Sequence, residues 1–188
     1  MSRGTVLRRD VVHRGRVFEL GVEEVRLPDG REIGLDVLRH PGASAILPLT
    51  DRGTILMIRQ FRHAADGFLW EIPAGTLDPG ESPLDCAHRE LVEEARVRAT
   101  EMLPLGEIVP VPGYSTERIH LFLARGLDAA EGKLDADELI AEVRPVPVDE
   151  VVAWLRDGSL IDAKSAVAVS RARERGLLPG FAASGGPG

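Results

Sequence analysis

Between residues 74 and 97 the chain reads AGTLDPGESPLDCAHRELVEEARV, and no other stretch restricts the fold as strongly. Its first part is a loop, because Gly75 and Gly80 bracket Asp78 and Pro79, residue types that favour turn geometry and interrupt strands. Its second part carries the signals of a helix start: Ser82 suits the N-cap, Pro83 the first helical position, and Asp85 can complete a capping box. At about 100° per residue, Leu84, Ala87, Leu91 and Ala95 share one side, which is expected to face a core. Beside that face Glu90, Glu93 and Glu94 fall within an arc of roughly 100°, so three carboxylates converge along one edge of the helix.

Convergence of like charge needs a reason. Glu90 and Glu94 form an i,i+4 pair that disfavours the helix by about 0.2–0.5 kcal/mol, whereas a solvated helix face usually mixes signs at that spacing. Hard divalent cations offer one reason, since Mg²⁺ takes one or two carboxylates and keeps its other positions for water and phosphate oxygens. Geometry alone leaves a solvated face and a metal site equally open.

The rest of the chain sets the frame. With 188 residues, 44% of them hydrophobic, it is long enough for one ordinary core with modest elaboration. A net charge of −7 without a dense basic run argues against nucleic acid or an anionic membrane as the main partner. Cys86 is the single cysteine, so no intramolecular disulfide forms, and residues 1–20 lack the apolar run of a signal peptide. No segment has the length of a membrane span, and a soluble cytoplasmic protein is expected. The five histidines show no metal-ligand spacing, which leaves no case for zinc.

Residues 17–38 alternate around PDG and read as a β-hairpin, with Asp29 and Gly30 supplying the turn. Residues 43–50 and 54–62 flank DRG and read as a second hairpin, buried on both faces. Pro41 and Gly42 mark a boundary, giving an N-terminal β region (1–42), a main domain (43–180) and a tail (181–188) whose composition predicts disorder. Further strands are expected at 115–124 and 139–148, and helices at 148–156 and 162–175, closed by Gly158 and Gly176. The fold class is α/β or α+β.

The spacing of the central segment goes further. Gly75, Glu81, the run Arg89-Glu90-Leu91-Val92-Glu93-Glu94 and the aliphatic Val97 resemble the signature of the Nudix hydrolases, G-x5-E-x7-R-E-U-x-E-E-x-G-U. One position departs from it: Arg96 stands where the pattern has glycine, and a non-glycine residue in a left-handed helix end costs about 1 kcal/mol. The resemblance implies an α/β/α sandwich with a mixed sheet, plus the small N-terminal antiparallel hairpin region. It also implies roles. Glu90 and Glu94 would hold Mg²⁺, or Mn²⁺ as a substitute, together with the main-chain carbonyl of Ala74; Glu93 would share the metal or orient its neighbours, and Arg89 would brace Glu93 and Glu81.

Outside the signature, WEIPAGTLDPGE, RQFR, VPGYSTERIHLFLA and GSLIDAKSAVAV are similar to the ADP-ribose pyrophosphatase branch, as is Pro112, 15 residues beyond Val97. That branch implies a homodimer through the N-terminal strands and a nucleoside diphosphate sugar as substrate. Arg62, with Arg59 as second choice, is expected on the diphosphate or ribose, where a guanidinium fork suits the task. Phe18 is expected either to stack on adenine or to fill the core, and Glu117 of GYSTER to touch substrate. The general base is expected from the acidic loop, among Asp135, Asp137 and Glu138, with Glu138 first. Water would attack one phosphorus and release AMP and ribose 5-phosphate. Another nucleoside diphosphate sugar such as GDP-mannose, or a non-catalytic ligand-binding module, are the alternatives.

Overall fold

In the computed structural model, residues 3–133 and 139–182 are described. The chain divides into two compact units: residues 1–42 with 109–118, and residues 43–108 with 119–188.

The first unit is a meander of β1 (Thr5–Arg14), β2 (Glu19–Arg26) and β3 (Glu32–Arg39), antiparallel in the order β1-β2-β3. The β2–β3 turn closes as its sequence demands, with Gly30 at φ 89° and the Asp29 carboxylate accepting the Arg31 N–H at 3.1 Å. β1 goes beyond the expected hairpin. Its charged run RRDVVHR gives no strand signal because it lacks a buried face; every residue in it is exposed. β2 also differs from the expected alternation. Val22 faces out, while Glu23 turns inward with Gly21 and Val25. Arg39 makes this burial possible, donating to Glu23 from Nε (2.8 Å) and Nη2 (2.6 Å).

The second unit holds β4 (Ala43–Pro48), β5 (Thr54–Arg62), β6 (Gly67–Glu71), β7 (Ala74–Thr76), α1 (Pro83–Ala95), β8 (Val97–Ile108), β9 (Ile119–Ala129), β10 (Ile140–Pro147), α2 (Val148–Asp157) and α3 (Ala163–Glu174). A mixed four-stranded sheet runs β7-β4-β9-β8, with β4 parallel to β9, and a three-stranded antiparallel sheet runs β10-β5-β6. This corrects the expected second hairpin. Around DRG the chain does turn like one, with Thr50 N–H donating to the Thr54 carbonyl at 2.9 Å and a lone bridge between Leu49 and Ile55. Beyond that bridge β4 and β5 part into different sheets. β4 is buried on both faces as expected, whereas β5 exposes Arg59 and Phe61 at its far end; a strand buried on both faces carries no alternation that names a partner, so the local turn signal does not decide the pairing.

Because β4 is buried throughout, its alternate side chains serve two cores. Ala45 and Leu47 join Ile55, Met57, Leu121, Leu123, Val151, Val152, Ala168 and Val169 on the side of α2 and α3. Ile46 joins Ala87, Leu91, Ala95, Phe122 and Ala124 under α1 on the other side. Helices thus cover both faces, the α/β/α sandwich the signature implied. Leu91 is fully buried, and truncating such a leucine costs about 2–5 kcal/mol. Leu84, expected on the same face, is 44% exposed, and Cys86 takes the inner position in the first turns of α1.

Candidate active site

Local chemistry fixes how α1 begins and ends. Ser82 Oγ accepts the Asp85 N–H at 3.1 Å and donates to the Asp85 carboxylate at 2.7 Å, closing the N-terminus. Ser44 Oγ, from β4, donates to the Pro83 carbonyl at 2.7 Å and ties this end to the sheet. The far end closes on Arg96 in the left-handed region (φ 58°, ψ 32°), its N–H bonded to the Val92 carbonyl. The signature glycine is replaced, yet the glycine conformation is kept.

Arg89 is the hub of the loop and helix. Its Nε and Nη2 each lie 2.9 Å from a Glu81 oxygen, a two-pronged grip across the loop. Nη1 donates to Glu93 at 2.9 Å and to Glu90 at 2.5 Å, and Nη2 also reaches the Thr76 carbonyl at 3.0 Å. Hydrogen bonding from Arg89 holds the Glu81 carboxyl down to about 2, and the same bond from Glu81 leads the factors that raise the Arg89 guanidinium further above its usual range. Cys86, buried beneath, lies with Sγ 3.5 Å from the Gly75 carbonyl. Burial pushes this thiol up to about 11, so it is neutral and unreactive near pH 7.

Two of the three glutamates turn inward: Glu94 is 1% exposed and Glu90 5%. Glu94 Oε2 accepts the Ala74 N–H at 2.7 Å. The Glu90 carboxylate lies over Gly75 in the space a Cβ would fill, so only glycine fits beneath it. Among the described residues no group of three or more His, Cys, Asp or Glu side chains is disposed to hold a metal ion. What converges instead is two buried carboxylates and the end of β7 that bears the Ala74 carbonyl. Those are hard oxygen donors of the kind and number Mg²⁺ takes while keeping room for water and phosphate.

Arg62 enters from β5. Its Nε and Nη2 pair with both oxygens of Glu71 on β6, at 2.9 and 2.8 Å, which leaves the Nη1 edge directed away from that carboxylate. Burial works against its charge but is outweighed by the hydrogen bond to Glu71, with the fields of Glu94 and Asp162 adding, so its pKa is raised. Arg62 therefore sits within the field of the glutamate cluster. Arg59, three residues earlier, points to the opposite face of β5, where its guanidinium lies 4.9 Å from the Phe68 ring centroid. Trp70 stacks on Trp154 with centroids 6.0 Å apart, a packing role.

Four further residues complete this face, and sequence reasoning does not single them out. Glu71 is 1% exposed, and Lys164 Nζ lies 2.5 Å from its Oε2 and 3.0 Å from Asp162 Oδ1. Although burial opposes it, the Glu71 carboxyl is held below its usual range by Arg62 and Lys164. Asp162 caps α3 by accepting the Ser165 N–H at 3.0 Å, and Ser165 Oγ accepts the Ile72 N–H at 2.8 Å. The available signals are WEIPAG and DAKS, which carry a family likeness but no spacing that joins them.

Phe18 and Glu117 belong to the first unit. Phe18 is 40% exposed, which removes the core alternative, and it lines a concavity of about 510 Å³ with Arg9, Arg16, Arg39, His40 and Thr116. The Glu117 carboxylate lies 3.9 Å from His40 Nε2. Asp135, Asp137 and Glu138 lie outside the described residues. The segment just before them is tied to α1: the Ala130 N–H donates to the Arg96 carbonyl at 2.9 Å, and a Cβ on Gly132 would collide with the Val92 carbonyl.

Residues 38–166, which span the whole arrangement of β5, β6, loop, α1 and the start of α3, match the NUDIX domain, and the chain belongs to the Nudix hydrolase family. Among its relatives is an ADP-ribose pyrophosphatase of Bacillus subtilis (strain 168), 37% identical over 163 residues that cover 86% of this chain and 88% of that one. A methanol dehydrogenase activator of Bacillus methanolicus is 34% identical over 165 residues, 87% of this chain and 89% of that one. The crystal structure of an ADP compounds hydrolase, at 22% identity, superposes with a TM-score of 0.79 over 94% of this chain and 96% of that one, a shared fold.

Proposed function

We propose that this protein hydrolyses the diphosphate of ADP-ribose to AMP and ribose 5-phosphate with Mg²⁺ bound, Mn²⁺ serving as a substitute. The observation that carries the reading is the placement of the buried Glu90 and Glu94 carboxylates against Gly75 and Ala74, within a Nudix chain whose Bacillus subtilis relative is an ADP-ribose pyrophosphatase. Glu90, Glu94 and the Ala74 carbonyl would hold the ion. Its contribution when bound is to offset the charge of the diphosphate and to make water acidic enough to attack. Arg89 keeps Glu81, Glu90 and Glu93 from repelling one another and aims them. The Nη1 edge of Arg62 takes a phosphate oxygen, so the substrate is gripped from β5 as well as from α1. Glu138 is the proposed general base, with Asp135 and Asp137 behind it; Phe18 is proposed to stack on adenine and Glu117 to contact the substrate.

The same reading includes a cytoplasmic homodimer formed through the N-terminal strands. Supporting it, the edge strand β1 exposes Val6, Leu7, Val11 and Val12, a concentration of apolar surface that edge strands usually avoid; light scattering reporting a monomer at micromolar concentration would remove it. Among the described residues no helix is long and apolar enough to cross a membrane. The substrate assignment is tested with a panel of nucleoside diphosphate sugars and Mg²⁺, using a phosphatase to release phosphate from the monophosphate products. ADP-ribose is expected to be the best substrate, and preferential turnover of GDP-mannose would replace it.

A further inference from the structure

The Arg62 guanidinium and the Ala74 backbone, two parts of the proposed site, are both steadied by the same helix end. At the start of α3, Lys164 Nζ lies 2.5 Å from Glu71 Oε2, and Glu71 in turn holds Arg62 by two bonds. One residue on, Ser165 Oγ accepts the Ile72 N–H at 2.8 Å, two residues before Ala74, whose own N–H is fixed by Glu94 at 2.7 Å. Asp162 joins the two, bonded to Lys164 Nζ at 3.0 Å and to both the N–H and the hydroxyl of Ser165. Two cations and two anions balance, and Glu71 and Ser165 are fully buried, so the cluster has neither excess charge nor room for a ligand. Its outlet is the exposed edge of Arg62, 39% exposed, and the Glu71–Ala74 backbone.

We propose that Lys164 is a positioning residue, acting through Glu71 to aim Arg62 at the diphosphate and, with Ser165, to set where the strand presents the Ala74 carbonyl. This rests on the proposed roles of Arg62 and Ala74. Without the ammonium, Glu71 keeps only Arg62, and that carboxylate and guanidinium become free to swing together; without the Ser165 hydroxyl, the Ile72 amide loses its acceptor. Lysine to arginine retains the charge and can still reach two carboxylates.

The test uses the full chain and compares Lys164→Met, Lys164→Arg and Ser165→Ala with the wild type. Melting temperature, Mn²⁺ affinity by electron paramagnetic resonance, amide exchange at Ile72 and Ala74, and KM and kcat for ADP-ribose are measured. For Lys164→Met, KM is expected to rise about tenfold and Mn²⁺ affinity to fall about tenfold, as for other residues that orient metal ligands, with most of both effects restored in Lys164→Arg. For Ser165→Ala, faster Ile72 exchange and weaker Mn²⁺ binding are expected. A Lys164→Met protein with lowered melting temperature but wild-type Mn²⁺ affinity and KM overturns the proposal, since the lysine would then only hold the fold. If Lys164→Met does not fold, Ser165→Ala decides: unchanged exchange at Ile72 and unchanged Mn²⁺ affinity overturn it. Should the wild type bind Mn²⁺ and respond in these readouts yet leave ADP-ribose intact, the substrate assignment fails and the brace stands.

Discussion

Two clusters of buried charge lie side by side in the second unit, and they are built oppositely. Around Arg89, the carboxylates of Glu81, Glu90 and Glu93 converge on one guanidinium, and Glu94 follows one residue later, bonded to a backbone N–H. Around Glu71, two carboxylates meet two cations, Arg62 and Lys164. Four against one leaves an excess of negative charge that a bound cation would offset, whereas two against two is complete in itself. On the proposed reading the first cluster takes the ion and the second holds shape, since burying unbalanced charge is expensive unless a partner arrives, while balanced charge fixes geometry.

The largest effect should come from removing a carboxylate of the unbalanced cluster. Glu94→Gln is expected to lower kcat/KM by about 10²–10³-fold with the fold retained, since the loss falls on transition-state charge, and steady-state kinetics with circular dichroism check both halves. Gly75→Ala comes next. Its methyl group collides with the Glu90 carboxylate, so the chain should lose about 1–3 kcal/mol of stability as well as activity, measured by urea unfolding. A stable, fully active Gly75→Ala protein would mean that Glu90 has another resting place.

Acid should weaken both clusters together. Glu81, held down to about 2, and Glu71 both have folded pKa values below the ordinary 4.5, so their contribution to stability is complete above 4.5 and is lost as pH falls through each folded value. Thermal unfolding between pH 6 and 2.5 should therefore show a falling melting temperature only below about 4.5. The smallest effect is a gain. Arg96→Gly relieves a left-handed non-glycine residue and should raise the melting temperature by about 2–4 °C without altering turnover, read by scanning calorimetry.

The two clusters also differ in how legible they are in the sequence. Everything around Arg89 lies within residues 74–97, so helical spacing alone brings Glu90, Glu93 and Glu94 together and places Arg89 beside them. The Glu71 cluster joins residues 62, 71 and 162–165 through hydrogen bonds between residues as many as 93 positions apart, and no local period links them. Strand pairing is hidden for a related reason. DRG is a hairpin signal that the chain obeys for a single bridge, and only the tertiary packing of β4, buried throughout, and of β5, buried or half-buried over most of its length, sends β4 to β7 and β9 and β5 to β6 and β10. β8 is equally hard to read, since its alternation is interrupted by Pro104 and Gly106, where the register shifts against β9.

A divalent ion seated in the unbalanced cluster and acting on a diphosphate underlies the proposed hydrolysis. The most direct measurement is to incubate the purified protein with ADP-ribose in excess Mg²⁺ or in excess chelator and to resolve the products by anion exchange. Equal amounts of AMP and ribose 5-phosphate with Mg²⁺, and intact ADP-ribose with chelator, are predicted. Intact substrate in both samples, or the same turnover in both, would contradict it.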